Sequence, residues 1–188
     1  MKVLGLYASP NPDGLTAAMA QAALTGAAAA GAQTELVGLT GLHLERCRQC
    51  DRGWGTCRSE GNCVIADDFA ELRQRISEAD ALVLSTPVYF GDLSESAKSF
   101  LDRLRRTVAG GRGDLTEGRW VLSIAAAGGG GGGGPTTLVA LERYYGVLRI
   151  PVFDSLIATR RNREYMLAAA EQAGAALVRH LAASRQQG

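Results

Sequence analysis

The sequence predicts an α/β fold in which a parallel sheet is covered by helices on both faces. Short apolar segments alternate with longer segments of helical periodicity along the chain. The apolar segments are hydrophobic on both faces, as the buried strands of a parallel sheet are. The chain has 188 residues, of which 46% are hydrophobic, so it can bury the core that such a fold needs.

The first elements follow this alternation. The first strand is residues 3–8, and the strong helix formers of residues 15–30 come after it. Residues 34–39 form the second strand. A loop that contains four cysteines, from about 40 to 65, separates that strand from the next helix. We expect this helix to begin at Asp67, a natural N-cap whose negative charge suits the helix dipole.

The second half of the chain continues the pattern. Its segments are a strand at 81–85, a helix at 93–106, a strand at 120–124, a helix at 136–147, a strand at 152–157 and a closing helix at 163–185. Right-handed crossovers leave few topologies, and the doubly wound strand order 2-1-3-4-5 fits five strands in a chain of this length. With neither an internal repeat nor a linker, we expect residues 1–188 to form a single domain.

Charge and hydropathy exclude several classes of function. The formal net charge is +1 with no basic block, which gives no electrostatic basis for binding nucleic acid or an anionic membrane. The sequence contains no run of about 20 apolar residues, which is the length needed to span a bilayer. The apolar run after Met1 is too short for the core of a signal peptide, so we expect a cytoplasmic protein.

Ligands of doubly wound sheets bind beyond the carboxyl ends of the strands, near the point where the strand order reverses. The first loop there is residues 9–16. Ser9 and Thr16 offer hydroxyl groups, and Gly14 lets the backbone approach a ligand closely. The helix that follows adds free N–H groups and the positive end of its dipole. This loop predicts either a phosphate site or an ordinary capped turn.

The second and third loops carry aromatic residues and glycines. Residues 85–91 place Tyr89 and Phe90 just past a buried strand, where they either line a ligand site or form the edge of the core. Residues 128–134 are seven consecutive glycines, which exclude side chains and suit close packing on a flat ring. The alternative is a low-complexity insert. The GxGxxG within this run is no dinucleotide motif, because that motif belongs after the first strand.

The cysteines have the spacing Cys47-x2-Cys50-x6-Cys57-x5-Cys63. Four thiolates can hold a [4Fe–4S] cluster or a tetrahedral zinc ion, and the alternatives are free thiols or buried small hydrophobic residues. The two histidines have no expected role in catalysis, since His43 is interpreted as a plain loop residue and His180 as a surface residue of the last helix.

Several short motifs occur in an order that resembles one family. They are Ser9-Pro10 with Gly14 and Thr16, Cys63-Val64-Ile65-Ala66-Asp67-Asp68, Ala79-Asp80, Thr86-Pro87-Val88-Tyr89-Phe90-Gly91, Lys98, Asp102-Arg103 and Gly128-Gly129. Together they resemble the NAD(P)H-dependent FMN reductase family of the flavodoxin superfamily, especially its iron–sulfur flavoprotein branch. The resemblance extends from Met1 to about Asp154. Two positions depart from it, since Asn11 stands where the family often has Arg and Leu15 where it has Asn.

This resemblance implies a flavodoxin-like three-layer sandwich that binds FMN. The implied contacts are Ser9, Asn11, Gly14, Leu15 and Thr16 around the phosphate, and Thr86, Pro87, Val88, Tyr89, Phe90, Ala127, Gly128 and Gly129 around the isoalloxazine ring. The implied electron donor is NAD(P)H, and the implied acceptor is a quinone, a nitro-compound or a flavin. FMN itself carries the redox chemistry, so no catalytic acid, base or nucleophile is expected.

The resemblance also bears on metal and assembly. The iron–sulfur branch has a compact Cys-x2-Cys-x2-Cys set, whose third position is Gly53 here. Because Cys57 comes four residues later, we expect aerobically prepared protein to lack a stable cluster. A loop without any metal is favoured over one with an iron–sulfur cluster, and zinc is favoured least. A homodimer or homotetramer is implied, and Trp54, in a loop with little local core, is expected to pack on a partner.

Two other functions stay open. One is an FMN or iron–sulfur electron carrier that serves protein partners, and the other is a binding module on a degenerate scaffold. The isoelectric point of about 7.7 disfavours a carrier, because carriers of the flavodoxin type have acidic docking faces. The choice between NADH and NADPH is open too. Arg160, Arg161 and Arg163 either meet a 2′-phosphate or begin a solvated helix.

Overall fold

The sheet has the predicted doubly wound order. The computed structural model describes residues 1–109 and 118–186. Its strands are β1 Lys2–Tyr7, β2 Gln33–Gly38, β3 Ala81–Tyr89, β4 Asp92–Leu93, β5 Trp120–Ala127 and β6 Val152–Thr159. The five long strands are parallel and lie in the order β2-β1-β3-β5-β6, which confirms the prediction. The short β4 was not predicted, and it pairs antiparallel with β3.

Helices cover both faces of this sheet. They are α1 Leu15–Ala29, α2 Thr56–Ser59, α3 Phe69–Glu78, α4 Glu95–Ala109, α5 Gly134–Leu148 and α6 Arg163–Gln186, with single 3-10 turns at Leu39–Gly41 and Asp51–Gly53. Helices α1 and α6 enclose one hydrophobic core, and α3, α4 and α5 enclose the other. Within the described ranges, no helix is both long and apolar enough to cross a membrane.

Glycines set the distance between α1 and α6. A Cβ atom on Gly26 would lie 1.7 Å from the carbonyl oxygen of Glu171, and one on Gly174 would lie 1.8 Å from that of Ala23. Any side chain at either position would collide with the opposite backbone. The two helices therefore cross at backbone contact, which fixes α1 on the sheet and with it the loop that precedes α1.

The central strands run further than predicted. β3 reaches Tyr89 instead of residue 85, and β5 reaches Ala127 instead of residue 124, because backbone pairing continues through Thr86↔Ala125 and Pro87↔Ala126. The turn after β3 folds back into β4, so α4 begins at Glu95 and not at residue 93. Both strands therefore carry the predicted ligand loops beyond the body of the sheet.

Two side chains differ from their predicted placement. Helix α3 begins at Phe69 with Asp68 at the N-cap position, while Asp67 lies outside the helix and accepts the N–H group of Phe69 at 3.3 Å. His180 is half-buried and not an exposed residue of the last helix. Its ring centroid lies 4.5 Å from that of Trp120 and 5.5 Å from that of Phe153, and its Nε2 atom is buried. The amphipathic pattern of α6 hid this contact, because Trp120 and Phe153 come from distant strands.

Candidate functional site

The three predicted ligand loops meet at one edge of the sheet. They follow β1, β3 and β5, which are neighbours and parallel, so their carboxyl ends lie side by side. The N–H group of Ala8 donates to the carbonyl of Ser85 at 3.0 Å, and the hydroxyl groups of Ser94 and Ser96 donate to the carbonyl of Ala8 at 3.1 and 2.9 Å. The first two loops are thus tied together at their bases.

The first loop presents the N-terminus of α1 without a side-chain partner. Among the described residues no side chain caps this helix, and its first turn has no acidic residue. Ser9 and Thr16 are only 6% and 4% exposed. The Ser9 hydroxyl accepts the N–H group of Asn11 at 3.2 Å, while Asn11 itself is exposed and Leu15 half-buried. The free N–H groups and the helix dipole make this end suitable for an anion.

The second loop places two aromatic side chains in solvent. Tyr89 is 43% exposed, and Phe90 is 110% exposed relative to its reference value. The described chain leaves the Phe90 ring uncovered but covers more than half of the Tyr89 surface, so the interpretation of the pair as an edge of the core does not hold for Phe90 and stays open for Tyr89. Pro87 is buried and Val88 half-buried, and the buried hydroxyl of Thr86 donates back to the carbonyl of Pro87 at 3.1 Å. The loop thus offers an apolar wall with Tyr89 and Phe90 at its outer end.

The glycine run contains two kinds of position. A Cβ atom on Gly128, Gly129, Gly130 or Gly132 would meet no protein atom within 4 Å. By contrast, a Cβ atom on Gly133 would lie 2.6 Å from the Cα atom of Gly91 and one on Gly134 2.6 Å from Ile157. Packing of the chain therefore requires glycine at the end of the run but not at its start. Ala127, at the base of this loop, is buried.

All four cysteines line one small cavity. They are free thiols and half-buried, and the cavity of about 30 Å³ between them is also lined by Arg48, Arg103 and Arg106. Cys57 comes four residues later in the sequence than the third cysteine of the compact motif, but it still lies at the same cavity because the short helix α2 turns it back toward the other three cysteines. In the described part of the chain, no three His, Cys, Asp or Glu side chains lie close enough together to hold a single metal ion.

A buried ion pair joins this cysteine cavity to α4. The Arg103 guanidinium donates to both carboxylate oxygens of Asp67 at 2.6 and 2.8 Å, to the carbonyl of Glu45 at 2.9 Å, and to the Cys63 sulfur at 3.4 Å. The charged ends of both side chains are buried. Burial alone would raise the pKa of Asp67, but the hydrogen bonds from Arg103 and from the N–H groups of Glu45 and Phe69 outweigh it and lower that pKa.

The backbone beside these cysteines is strained. Gln49, Asp51 and Arg52 have φ angles of 50°, 45° and 61°, in the left-handed region that disfavours residues with a side chain. Trp54 finds local partners, since the guanidinium groups of Arg106 and Arg58 lie 4.8 and 5.8 Å from its ring centroid. These contacts remove the argument that Trp54 needs a partner subunit to cover it.

The sequence comparison identifies the family. Residues 1–164 match the family model described as NADPH-dependent FMN reductase. The chain belongs to this family. The matched range includes all three ligand loops and the cysteine segment, so the resemblance found in the motifs is confirmed.

This FMN reductase family member is also similar to iron-sulfur flavoproteins. It is 39% identical over 105 residues to one of Methanocaldococcus jannaschii, which is 56% of this chain and 52% of that protein. It is 35% identical over 104 residues to one of Archaeoglobus fulgidus, which is 55% of this chain and 46% of that protein. The alignments thus span about half the length of these relatives.

Solved structures share its fold. A flavone reductase superposes with a TM-score of 0.74 at 20% identity, covering 96% of this chain and 63% of that one. The NAD(P)H:quinone oxidoreductase from Methanothermobacter marburgensis gives a TM-score of 0.71 at 21% identity, covering 94% and 96%. These likenesses confirm the flavodoxin-like α/β fold.

A second polar cluster, unrecognised as a cluster in the sequence, lies between α4 and α5. The Lys98 ammonium donates to the Tyr144 hydroxyl at 2.9 Å and to Asp102 at 3.0 Å, and Tyr144 donates to Asp102 at 2.9 Å. The bond to Tyr144 and the charge of Asp102 raise the pKa of Lys98 against the effect of burial. The i, i+4 spacing of Lys98 and Asp102 signals their pair, but no local pattern signals Tyr144.

Proposed function

We propose that the chain is an FMN-dependent oxidoreductase that takes electrons from NAD(P)H and passes them through FMN to a small acceptor such as a quinone, a nitro-compound or a flavin. Bound FMN supplies the redox chemistry, and the protein supplies binding, orientation and local electrostatics. For a quinone, one NAD(P)H and one proton are consumed, and the products are NAD(P)⁺ and the hydroquinone.

The observation that carries this proposal is the open stretch of glycines at Gly128–Gly130. Nothing in the described chain requires glycine at these three positions, since a Cβ atom on any of them would meet open space. They follow Ala127, and the residue before it, Ala126, pairs with the buried Pro87 across β3 and β5. An edge without side chains beside an apolar wall fits a flat isoalloxazine ring. We assign the ring contacts to Thr86, Pro87, Val88, Tyr89, Phe90, Ala127, Gly128 and Gly129.

The first loop fits the phosphate of FMN. The N-terminus of α1 offers backbone N–H groups without side-chain caps, and the hydroxyl groups of Ser9 and Thr16 flank it. We assign the phosphate contacts to Ser9, Asn11, Gly14, Leu15 and Thr16. Since Asn11 and Leu15 bring no positive charge, the phosphate depends on the helix dipole and backbone N–H groups.

Charge reversal on α1 tests the phosphate assignment. Thr16→Glu places a carboxylate against the phosphate, and Thr25→Glu places the same charge on an exposed position of the same helix. We expect Thr16→Glu to lose at least tenfold in affinity for added FMN and Thr25→Glu to keep it. Because Thr16 is buried, Leu15→Glu is added, since an acidic residue in the first turn stabilises a helix. Equal FMN affinity in all three variants would refute the assignment.

The assembly and location of the enzyme are also proposals. We propose a homodimer or homotetramer in the cytoplasm, where NAD(P)H is available and the four free thiols stay reduced. Light scattering at micromolar concentration tests the assembly, and the mass of a single chain would contradict it.

A second function, electron transfer through a cluster, is favoured by the cysteine cavity. We infer that Cys47, Cys50, Cys57 and Cys63 are the ligands of a [4Fe–4S] cluster in protein isolated without oxygen. In such a cluster each thiolate binds a different iron atom, so the sulfurs must line one cavity and need not converge on one point. The guanidinium groups of Arg48, Arg103 and Arg106 also line this cavity, and Arg103 and Arg48 are at the same time paired with Asp67 and Glu45. The three left-handed residues next to Cys50 suit a loop shaped around a ligand.

Metal analysis tests the cluster. We expect about four iron atoms and four acid-labile sulfides per chain in anaerobically isolated protein, lost in Cys57→Ser and kept in the neighbouring control Ser59→Ala. Less than one iron per chain would refute it. The expectation that aerobically prepared protein lacks a stable cluster stays a prediction.

A further inference from the structure

The guanidinium group of Arg103 borders the cysteine cavity and is enclosed by protein. The Arg103 side chain is 1% exposed, and the side chain of its partner Asp67 is 0% exposed. The guanidinium carbon also lies 4.2 Å from the ring centroid of Phe69, which holds it in place from a third side. A buried ion pair is expensive to desolvate, and apolar residues of similar volume are often equally stable in its place. Stability alone therefore does not account for this pair.

Four of the five N–H bonds of Arg103 have acceptors, and one has none. The two Nη atoms carry four N–H bonds, and they donate to both carboxylate oxygens of Asp67, to the carbonyl of Glu45 and to the Cys63 sulfur. The fifth N–H bond is on Nε. This atom is buried, and no acceptor for it lies in the described part of the chain.

The free N–H bond faces the side of the cysteines. In the planar guanidinium, the Nε–H bond runs parallel to the outer N–H bond of Nη2, and Nη2 is the atom that donates to Cys63. Arg106, one turn later on α4, lines the same cavity, and its Nε is likewise buried without an acceptor among the described residues. Buried donors without acceptors are rare and costly. Two of them at one cavity indicate that acceptors belong there.

Sulfur atoms are the acceptors that the proposed group brings to this cavity. A [4Fe–4S] cluster held by four thiolates presents both ligand sulfurs and sulfides, and all of them accept hydrogen bonds. The two free donors therefore fit the proposed cluster, and this fit does not depend on the spacing of the cysteines. Hydrogen bonds to the sulfurs and net charge are among the factors that set the reduction potential of such a cluster.

We propose that Arg103 is a positioning residue that raises the reduction potential of the cluster through hydrogen bonds to sulfur, and that Asp67 limits this effect by neutralising the charge of Arg103. The proposal rests on the proposed electron transfer through a cluster, because it concerns the same site. Reduction adds one electron, which reduced FMN supplies in the proposed function and dithionite in the test. N–H donors and positive charge near the sulfurs stabilise the added negative charge.

The test measures the one-electron reduction potential of the cluster in anaerobically isolated protein. A mediator titration with dithionite is read from the electron paramagnetic resonance signal of the reduced cluster, to which fully reduced flavin does not contribute. Arg103→Lys keeps the charge but loses the planar fork, so the equilibrium constant of reduction should fall at least tenfold, about 59 mV for one electron. Asp67→Asn keeps the shape of the partner but leaves the charge of Arg103 unneutralised, so this constant should rise at least tenfold.

The opposite signs of the two shifts separate this role from a structural one. A cavity that is merely loosened would lose iron in both variants or shift both potentials in the same direction, and either result overturns the proposal. Iron is therefore counted in every sample. The matched control is Arg185→Lys, because Arg185 also pairs with an aspartate, Asp80, but lies on α6 at the other face of the sheet. Its equilibrium constant should stay within about twofold of the parent's.

The remaining outcomes are also decisive. If only one of the two variants keeps its cluster, that variant decides by the sign given above. An unchanged potential in either variant that keeps its cluster assigns the free donors to water and overturns this proposal alone. If the parent protein itself holds less than one iron per chain after anaerobic isolation, the cluster assignment fails, and this proposal falls with it.

Discussion

The glycine run allows a test in which fold and ligand binding are affected separately. Gly128→Val adds a side chain where the protein leaves open space, and Gly128 has no left-handed φ, so the folded chain can accept it. Replacing glycine at a compatible site stabilises a protein by about 0.4–1 kcal/mol through the unfolded state. The added methyl groups, however, would occupy the place proposed for the isoalloxazine ring.

Two further variants calibrate that result. Gly132→Val also points into open space, but Gly132 lies outside the proposed FMN contacts. Gly133→Ala puts a Cβ atom 2.6 Å from the Cα atom of Gly91 and 2.7 Å from Val88, which is overpacking worth about 1–3 kcal/mol. In a chain of this size, a destabilisation of about 2 kcal/mol lowers the unfolding temperature by roughly 4–8 °C, and we expect this loss for Gly133→Ala.

The assay combines thermal unfolding with titration of FMN by fluorescence quenching. Without FMN, Gly128→Val should unfold at the same temperature as the parent or slightly higher, and it should lose at least tenfold in FMN affinity, about 1.4 kcal/mol. Gly132→Val should keep both the unfolding temperature and the FMN affinity of the parent. Gly133→Ala should have a lower unfolding temperature even without FMN. If Gly128→Val bound FMN as tightly as Gly132→Val, the ring would not lie on this loop, and the reasoning from open glycines would be refuted.

Other predictions concern the buried ion pair. Because the pKa of Asp67 is lowered in the folded state, its stabilising effect is complete above about pH 4 and is lost as the pH falls through the lowered folded pKa. Between pH 5 and pH 2, the free energy of unfolding measured with urea should therefore fall more steeply with pH for the parent than for Asp67→Asn. Identical slopes for the two proteins would contradict this. Arg103→Gln leaves Asp67 buried without its partner and should cost about 3–5 kcal/mol in the free energy of unfolding at pH 7. A loss below about 1 kcal/mol would show that the pair is solvated.

The sequence predicted the parts of this fold that local periodicity encodes. The five long strands, their order and the three ligand loops follow from apolar runs that alternate with amphipathic helices. The two-residue strand β4 could not be predicted, because its only signal is the pair Phe90-Gly91, and phenylalanine is atypical of such a turn. The extension of β3 and β5 depends on pairing between strands that are far apart in the sequence.

The sequence predicted which residues belong to the candidate site but not which of them contact one another. The sequence marks the four cysteines and Asp102-Arg103, yet no local pattern shows that Arg103 reaches Cys63 and Asp67. The spacing of the cysteines suggested that Cys57 stands apart, and only the turn of α2 brings it back to the common cavity. The single-domain organisation of residues 1–188 and the assigned FMN contacts stay predictions.

The central claim is that this edge of the sheet binds FMN and reduces it with NAD(P)H. The most direct measurement is an anaerobic absorbance spectrum of the purified protein after incubation with FMN and removal of the excess, before and after addition of NADPH or NADH. We predict about one flavin per chain, bleached by at least one of the two donors. A protein that retains no flavin, or whose bound flavin keeps its absorbance with both donors, would contradict the account.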